Sequence, residues 1–335
     1  MKKILHFIVL IAMLSCKDEK DSSNASPVNE QTYLVLGGDE QYVEITGTSD
    51  KDPVLLFIHG GPGWPQTPHL RYFNAELANS MILVAWEQAG CGKSYMNDST
   101  VENLSLEKFI SDAHELTQLL KKKFNKDKIY LAGFSWGSVI GLHLAERYPE
   151  DYEAYIGISQ LINSRRSIEL SKEWIKDQAI QKKDTQMLKN IALLEKMDSS
   201  LCKDELDCFY KKYELLVQYG GHIYSKEAEE QIKIAETKYE DYKDYDWLKG
   251  FLYTNAKLGD ALFQTDLNHI KTLKIPAWFL VGRHDWSLPA SVTEDFVKNL
   301  SAPKKEMVWF ENSGHEPLEE EAALFNKEII RIVTD

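Results

Sequence analysis

The sequence feature that most constrains the fold is the pentapeptide from Gly133 to Gly137, which reads G-F-S-W-G and matches the pattern G-x-S-x-G. An apolar run over 128–134 predicts a buried strand before Ser135, and residues 138–148 form a helical pattern after it. The pattern is typical of a tight strand-to-helix turn, which exposes the serine and leaves no room for side chains at the two glycines. The pentapeptide alone also occurs by chance, but its flanking elements predict Ser135 as a nucleophile.

A glycine-rich loop, H-G-G-P-G over 59–63, follows an earlier apolar run over 54–58. A loop of this type supplies one backbone N–H to an oxyanion hole, and the residue after the nucleophile supplies the second. We therefore predict that the N–H groups of Gly61 and Trp136 stabilise a negatively charged oxygen. A simple Gly/Pro turn would account for the loop but not for its combination with the serine motif.

Two segments near the C-terminus provide a candidate acid and a candidate base. Asp285 follows the apolar run over 277–281, and His315 follows the last such run, over 307–310. With Ser135 they give the order Ser, acid, His, which accompanies this type of serine turn. We predict that Asp285 orients His315, whose other ring nitrogen accepts the Ser135 proton. The competing acids and histidines, which end a strand less cleanly, are Asp266, Glu311, Glu316, His269 and His284.

Apolar runs of strand length alternate with helical patterns along most of the chain. The predicted strands cover 33–36 and 41–46, which form a hairpin, and 54–58, 81–86, 128–134, 154–159, 277–281 and 307–310. The predicted helices follow Ser105 and cover 138–148, 291–300 and 322–333. Such alternation predicts an α/β fold with a mostly parallel sheet covered by helices on both faces.

The alternation is interrupted over 160–273, where helical stretches rich in Lys, Glu and Gln replace the apolar runs. We interpret this segment as a helical cap inserted between two parts of a core that covers 32–159 and 274–335. The aromatic side chains of the cap are typical of its own packing, and a few are expected to line an apolar pocket over Ser135.

The N-terminus carries the pattern of an export signal. Two lysines precede an apolar run over 4–14, which is too short to span a bilayer as a helix. The run ends in L-S-C at Cys16, which resembles the lipobox of bacterial lipoproteins, although methionine stands where leucine is usual. We predict a signal peptide over 1–15, lipid attachment at Cys16 and a flexible tether over 16–31, which would anchor the protein in the bacterial cell envelope, in the periplasm or at the outer membrane. A plain cleaved signal with an incidental cysteine is the alternative.

The charge balance limits the possible partners. The chain has 39 Lys and Arg against 52 Asp and Glu, a formal charge of -13. This argues against nucleic-acid binding, whose affinity comes largely from cations that neutralise phosphates. We expect membrane contact only through the lipid anchor.

The remaining cysteines predict no metal centre. Cys202 and Cys208 are close in sequence and are candidates for a disulfide in an exported protein, and Cys91 is interpreted as a small loop residue. Because neither H-E-x-x-H nor another metal-ligand spacing occurs, no metal or cofactor is expected.

Several of these motifs together resemble one known family. The segments HGGPG at 59–63, WEQAGCGKS at 86–94, GFSWGS at 133–138, GRHD at 282–285 and SGHEP at 313–317 are similar to those of the proline iminopeptidase (prolyl aminopeptidase) group of α/β-hydrolases. The resemblance covers 33–335. It implies an α/β-hydrolase fold, an acyl-enzyme on Ser135, and release of an N-terminal residue, often proline, from short peptides without a metal or cofactor.

The sequence departs from the family at two places. The usual DQRG segment is E-Q-A-G here, over 87–90, and Gly220 stands where the family has a cap glutamate that binds the substrate ammonium. Glu214 and Glu227 are the candidates to replace that glutamate, because a buried ammonium needs a carboxylate partner. The alternative is a carboxylic-ester or lactone hydrolase with the same Ser, His and Asp, so that the partner is a small peptide or an ester. A binding protein without activity is disfavoured by the complete set of catalytic motifs.

Overall fold

The computed structural model describes residues 25–95, 103–196, 203 and 205–334. The predicted signal peptide over 1–15, Cys16 and Cys202 lie outside these residues, so lipid attachment and a Cys202–Cys208 disulfide stay predictions. Each helix in the described part of the chain is too short or too polar to span a bilayer.

The described residues form a mostly parallel eight-stranded sheet in the order β1-β2-β4-β3-β5-β6-β7-β8. Its strands are β1 (Val28–Leu36), β2 (Asp39–Gly47), β3 (Val54–Ile58), β4 (Ile82–Trp86), β5 (Ile129–Phe134), β6 (Tyr152–Ile158), β7 (Ala277–Gly282) and β8 (Lys305–Phe310). β2 pairs antiparallel with β1 and β4, whereas β3 to β8 pair in parallel. The predicted α/β class and parallel sheet are therefore confirmed.

The first strand begins earlier than the sequence suggested. β1 starts at Val28, inside the stretch expected to be a tether, and Val28 pairs with Gly47 of β2. Its side chains alternate between the protein and the solvent, so most of them are polar, and Val28 and Leu36 are the buried ends. A polar edge strand of this kind has the composition of a tether, which explains the wrong boundary.

The helices are α1 (Thr67–Phe73), α2 (Leu106–Phe124), α3 (Trp136–Arg147), α4 (Ser164–Gln181), α5 (Thr185–Glu195), α6 (Glu205–Gln218), α7 (Lys226–Lys238), α8 (Trp247–Gln264), α9 (Ala290–Asn299), α10 (Pro317–Glu320) and α11 (Ala322–Thr334). Both faces of the sheet are covered. Helix α2, capped by the Ser105 side chain, buries Phe109 and Leu116 in the core on one face. Helix α11 buries Phe325 and Ile329 in the core on the other.

The five helices α4 to α8 lie between β6 and β7, in the region that the sequence assigns to a cap. They have a small apolar core of their own, which includes Ile175, Met187 and Leu216. The segment before α8 is fixed to the rest of the protein, because Tyr245 accepts a hydrogen bond from the Gly92 N–H at 2.8 Å. The helical layer is thereby held over the ends of the parallel strands, where ligand sites of open α/β sheets lie.

Candidate active site

Ser135 occupies the turn between β5 and α3. Its φ of 50° lies in the left-handed region, which is unfavourable for a residue with a side chain and is found mostly at functional sites. The turn is so tight that a Cβ on Gly133 would lie 2.5 Å from the Gly137 carbonyl oxygen. A Cβ on Gly137 would lie 2.2 Å from the Ile58 carbonyl oxygen. The glycines of the motif are thus required by space.

The structure brings Ser135, His315 and Asp285 into one chain of hydrogen bonds. His315 Nε2 lies 2.9 Å from Ser135 Oγ, and His315 Nδ1 lies 2.8 Å from Asp285 Oδ2. The other Asp285 oxygen accepts the Leu288 N–H at 2.8 Å, which fixes the carboxylate. Burial lowers the pKa of His315, but the adjacent Asp285 carboxylate and the nearby Glu316 and Glu320 together outweigh burial and hold that pKa above its ordinary value.

Three of the competing acids and bases from the sequence, Glu311, Asp266 and His284, are engaged elsewhere. Glu311 forms an exposed ion pair with Arg283, and Asp266 accepts hydrogen bonds from Asn268. His284 stacks on Tyr224 with 3.7 Å between ring centroids. Their positions leave the Ser135–His315–Asp285 arrangement without a rival among these candidates.

The residues of the two predicted oxyanion donors lie in the same cavity wall as the nucleophile. Gly61 and Trp136 line the same cavity as Ser135. In the part of the chain that the structure describes, their backbone N–H groups have no backbone acceptor. Trp136 is the first residue of α3, where N–H groups have no partner within the helix. Both donors are therefore free to bind a negatively charged substrate oxygen.

Gln88, which no motif in the sequence singles out, links the two segments that carry these donors. Its amide nitrogen donates to the His59 carbonyl at 2.8 Å, and its amide oxygen accepts from Trp136 Nε1 at 3.2 Å. The Gln88 N–H also donates to His59 Nε2 at 3.0 Å, and burial lowers the pKa of His59 to about 4. The loop after β3 and the start of α3 are thus joined through one buried side chain.

A cavity of about 720 Å³ lies above Ser135, between the core and α4 to α8. Most of its wall is apolar and aromatic, with residues that include Trp64, Phe134, Tyr213, Phe251, Leu262 and Leu288. Ligand cavities are commonly of this size and character. The volume is sufficient for a small substrate larger than a single amino acid.

One part of the cavity wall is acidic, and this part was missed from the sequence. Glu236, Glu316 and Glu319 all line the cavity, and of these three the sequence offers only Glu316, as an alternative to Asp285. Glu319 binds the Nδ1 atom of the buried His69 side chain. Of the two acids that the sequence favoured, Glu214 is an exposed residue of the cavity wall. Glu227 is exposed and is not among the lining residues.

No metal centre is visible in the part of the chain that the structure describes. Among residues 25–95, 103–196, 203 and 205–334, no group of three or more His, Cys, Asp or Glu side chains is placed to hold a metal ion. Cys91 is buried, and its sulfur contacts His59 Nε2 at 3.3 Å.

A mostly parallel sheet, a serine on the turn after β5 and a histidine–aspartate pair at the same edge define a serine hydrolase of the α/β-hydrolase fold. The family model of the serine aminopeptidases, S33, matches residues 53–322. The probable aminopeptidase YbaC of Bacillus subtilis (strain 168) is 30% identical over 302 residues, which cover 89% of this chain and 94% of YbaC. The chain therefore belongs to the serine aminopeptidase family S33 and is a prolyl aminopeptidase-like α/β-hydrolase.

Solved structures share the fold at lower identity. A proline iminopeptidase-related protein of Thermus thermophilus superposes with a TM-score of 0.63 at 17% identity, over 92% of this chain and 98% of that one. An esterase from Exiguobacterium antarcticum gives a TM-score of 0.61 at 18% identity, over 91% of this chain and 100% of the esterase. The same fold thus occurs in a proline iminopeptidase-related protein and in an esterase.

Proposed function

We propose that this serine hydrolase is an aminopeptidase that releases N-terminal residues, including proline, from short peptides. The observation that carries the proposal is the hydrogen-bonded series Ser135–His315–Asp285 beside two free N–H groups in a cavity between the core and the cap helices. The family match and the name of the Bacillus subtilis relative support a peptidase rather than a hydrolase that uses the same serine, histidine and aspartate on another class of substrate.

The geometry suggests a mechanism with an acyl-enzyme. Ser135 Oγ attacks the carbonyl carbon of the first peptide bond while His315 Nε2 takes its proton, and Asp285 stabilises the resulting imidazolium. The N–H groups of Gly61 and Trp136 hold the negative oxygen of the tetrahedral intermediate. The C–N bond then breaks as His315 returns the proton to the leaving amine, which leaves the N-terminal residue as an ester on Ser135. Water, deprotonated by His315, hydrolyses the ester and restores Ser135.

The helices that cover the site limit the size of the substrate, which supports short peptides as substrates. The cavity is bounded by residues of α4, α6, α7 and α8 as well as by the core. A folded protein chain does not fit in about 720 Å³, whereas a short peptide does. We expect activity to fall as the peptide lengthens beyond what the cavity holds.

The second candidate is a carboxylic-ester or lactone hydrolase. Two observations favour it: the mainly apolar wall of the cavity, and Gly220 at the position where the family has a glutamate. The φ of Gly220 is 77°, so a glutamate there would be strained. Ester hydrolysis needs the same nucleophile, base and oxyanion donors, because it passes through the same kind of tetrahedral intermediate.

Hydrolysis of two matched substrate sets by residues 17–335 separates the two candidates. One set contains free-amine aminoacyl p-nitroanilides of proline and alanine, the other short p-nitrophenyl esters, and Ser135→Ala serves as the blank. Turnover of the anilides that disappears when their amine is acetylated supports the aminopeptidase. Turnover of esters alone refutes it and supports the esterase.

We further propose that the enzyme is exported and held in the bacterial cell envelope by lipid on Cys16. The support is the short apolar run after two lysines and the L-S-C segment that ends it. The polar residues between Cys16 and the start of β1 at Val28 would then separate the enzyme from the membrane.

A further inference from the structure

Glu316 directly follows the base His315 and has one unused oxygen. Its Oε1 atom lies 3.3 Å from His222 Nε2, and the His222 Nδ1 atom lies 2.9 Å from the Ser287 hydroxyl. The other oxygen, Oε2, is buried and has no hydrogen-bond partner among the described residues. A buried carboxylate oxygen without a donor is unfavourable, so in a cavity wall this oxygen is suited to accept a hydrogen bond from a bound molecule.

Gln66 presents a second unused acceptor in the same cavity. The residue is only 3% exposed, and its amide nitrogen donates to Glu319 Oε1 at 3.2 Å. This contact fixes the orientation of the amide, because only its nitrogen can donate to a carboxylate. The Gln66 carbonyl oxygen then has no donor in the described part of the chain. Glu316 and Gln66 both line the cavity that contains Ser135, and the unused atom of each is an acceptor.

The negative charge in this region is concentrated on Glu316. Burial raises the pKa of Glu236 and of Glu319, and Glu319 is paired with His69. Burial raises the pKa of Glu316, but the hydrogen bond from His222 and the charges of the surrounding histidines together outweigh burial, so this pKa is below its ordinary value. A charged, partly unpaired carboxylate beside the base is suited to a cation.

We infer that Glu316 Oε2 and Gln66 Oε1 bind the protonated N-terminal amine of the substrate. A primary ammonium offers three N–H donors and the secondary ammonium of proline offers two, each with one positive charge. Either can donate to both free acceptors, of which one belongs to a carboxylate. The inference rests on the proposed aminopeptidase function and names its recognition site. The amine of an N-terminal residue is separated from the scissile carbonyl by a single carbon, so its binding site must lie close to Ser135 and His315. Glu316 meets this requirement as the chain neighbour of His315.

The inference places the carboxylate in the core rather than among the cap acids that the sequence favoured. The loop at Gly220 and Gly221 does not supply an acid but brings His222 against the site: the His222 carbonyl accepts the His315 N–H at 2.6 Å. The His222 ring lies 4.9 Å from the His315 ring, measured between centroids, and holds Glu316. His222 is thus a positioning residue for the carboxylate.

Glu316→Gln tests the inference, because it keeps the shape of the side chain and removes the charge. We expect kcat/KM for alanine p-nitroanilide to fall by about 100-fold or more, as when one member of a buried charge pair is removed. The rate with p-nitrophenyl propionate, which lacks the amine, should stay within about threefold. Gln66→Met should lower only the anilide rate, by about tenfold, as expected for the loss of one hydrogen bond to a charged group. Glu230→Gln, an exposed acid of α7 outside the cavity wall, should change neither rate.

Two results would overturn the inference. Equal loss with both substrates would mean that Glu316 supports His315 rather than the amine. An unchanged anilide rate in Glu316→Gln would place the amine elsewhere, and loss of that rate in Glu214→Gln instead would identify the cap acid.

A binding measurement tests the amine site independently of whether the protein is an aminopeptidase. Calorimetry with the inactive Ser135→Ala protein compares L-alaninamide with propionamide, which lacks the amine. Preferential binding of L-alaninamide that disappears in Ser135→Ala/Glu316→Gln supports the site even where anilide turnover is absent and the aminopeptidase proposal fails. Equal binding of the two amides, or a preference that survives Glu316→Gln, overturns it.

Discussion

Gln88 offers a direct test of how the oxyanion loop is held. The side chain is 1% exposed and joins the His59 carbonyl to the Trp136 indole. Gln88→Met keeps the length of the side chain and removes both hydrogen bonds, which leaves one buried acceptor and one buried donor unpaired. Each such group costs about 1–3 kcal/mol, so the free energy of unfolding should fall by about 2–6 kcal/mol.

The same substitution should lower kcat and leave KM nearly unchanged. The N–H groups of Gly61 and Trp136 remain, but the loop after β3 and the start of α3 are no longer fixed to each other. Loss of a complete oxyanion donor costs about 100- to 1000-fold in rate, and a loosened one should cost less, about 10- to 100-fold in kcat. KM should change little, because the donors act mainly on the negative oxygen of the transition state.

Gln41→Met is the matched control. Gln41 is also fully buried and also bridges a backbone carbonyl and an indole, that of Trp86, but it lies on β2 outside the cavity wall. Urea unfolding and steady-state kinetics of both variants are compared below the unfolding transition. We expect both to lose stability and only Gln88→Met to lose kcat. Near-normal kcat in Gln88→Met, or an equal loss in Gln41→Met, would refute the assigned role of Gln88.

Three further predictions concern the site and the N-terminus. Ser135→Ala and His315→Ala should each abolish turnover to about the same extent because the groups act as a unit, and near-normal rates in His315→Ala would exclude it as the base. Protonation inactivates His315 as a base, and Asp285 raises the pKa of His315. We therefore expect kcat/KM to decline on acidification with an apparent pKa above the ordinary histidine value of about 6.5. A pH–rate profile with its acid limb well below 6.5 would contradict this. Cys16→Ser should move the protein from the membrane fraction to the soluble envelope fraction and abolish fatty-acid labelling, whereas unchanged fractionation would argue against lipid attachment.

The parts of the fold and site that could be predicted depend on short stretches of sequence. The strand over 54–58 and the serine turn are encoded by consecutive residues, and the position of Asp285 and His315 follows from the strands that precede them. β1 was placed too late because half of an edge strand faces water and its polar residues resemble a linker. Pairing with β2, a contact between segments, decides its start.

The acidic wall could not be predicted for a related reason. Gln66 precedes α1, Glu236 lies on α7, and Glu316 and Glu319 lie near the end of the chain. No spacing in the sequence relates these positions, because the fold alone brings them to one cavity. The sequence signal for this acidic wall is the glutamate directly after His315. Its meaning depends on the cap that covers it, which only the structure shows.

The two places where the sequence departs from the family pattern both lie at contacts between the core and the helices above it. Glu87 is fully buried, accepts the Lys93 N–H at 2.6 Å and binds the hydroxyl of Tyr242 from the segment before α8. Gly220 allows the turn that places His222 on Glu316 and on the backbone of His315. At each of the two places, a core residue contacts a residue of the cap region. We therefore interpret both departures as a changed attachment of the cap to the core rather than as a loss of function. A cap attached in this way brings the His222 side chain against the core carboxylate of Glu316.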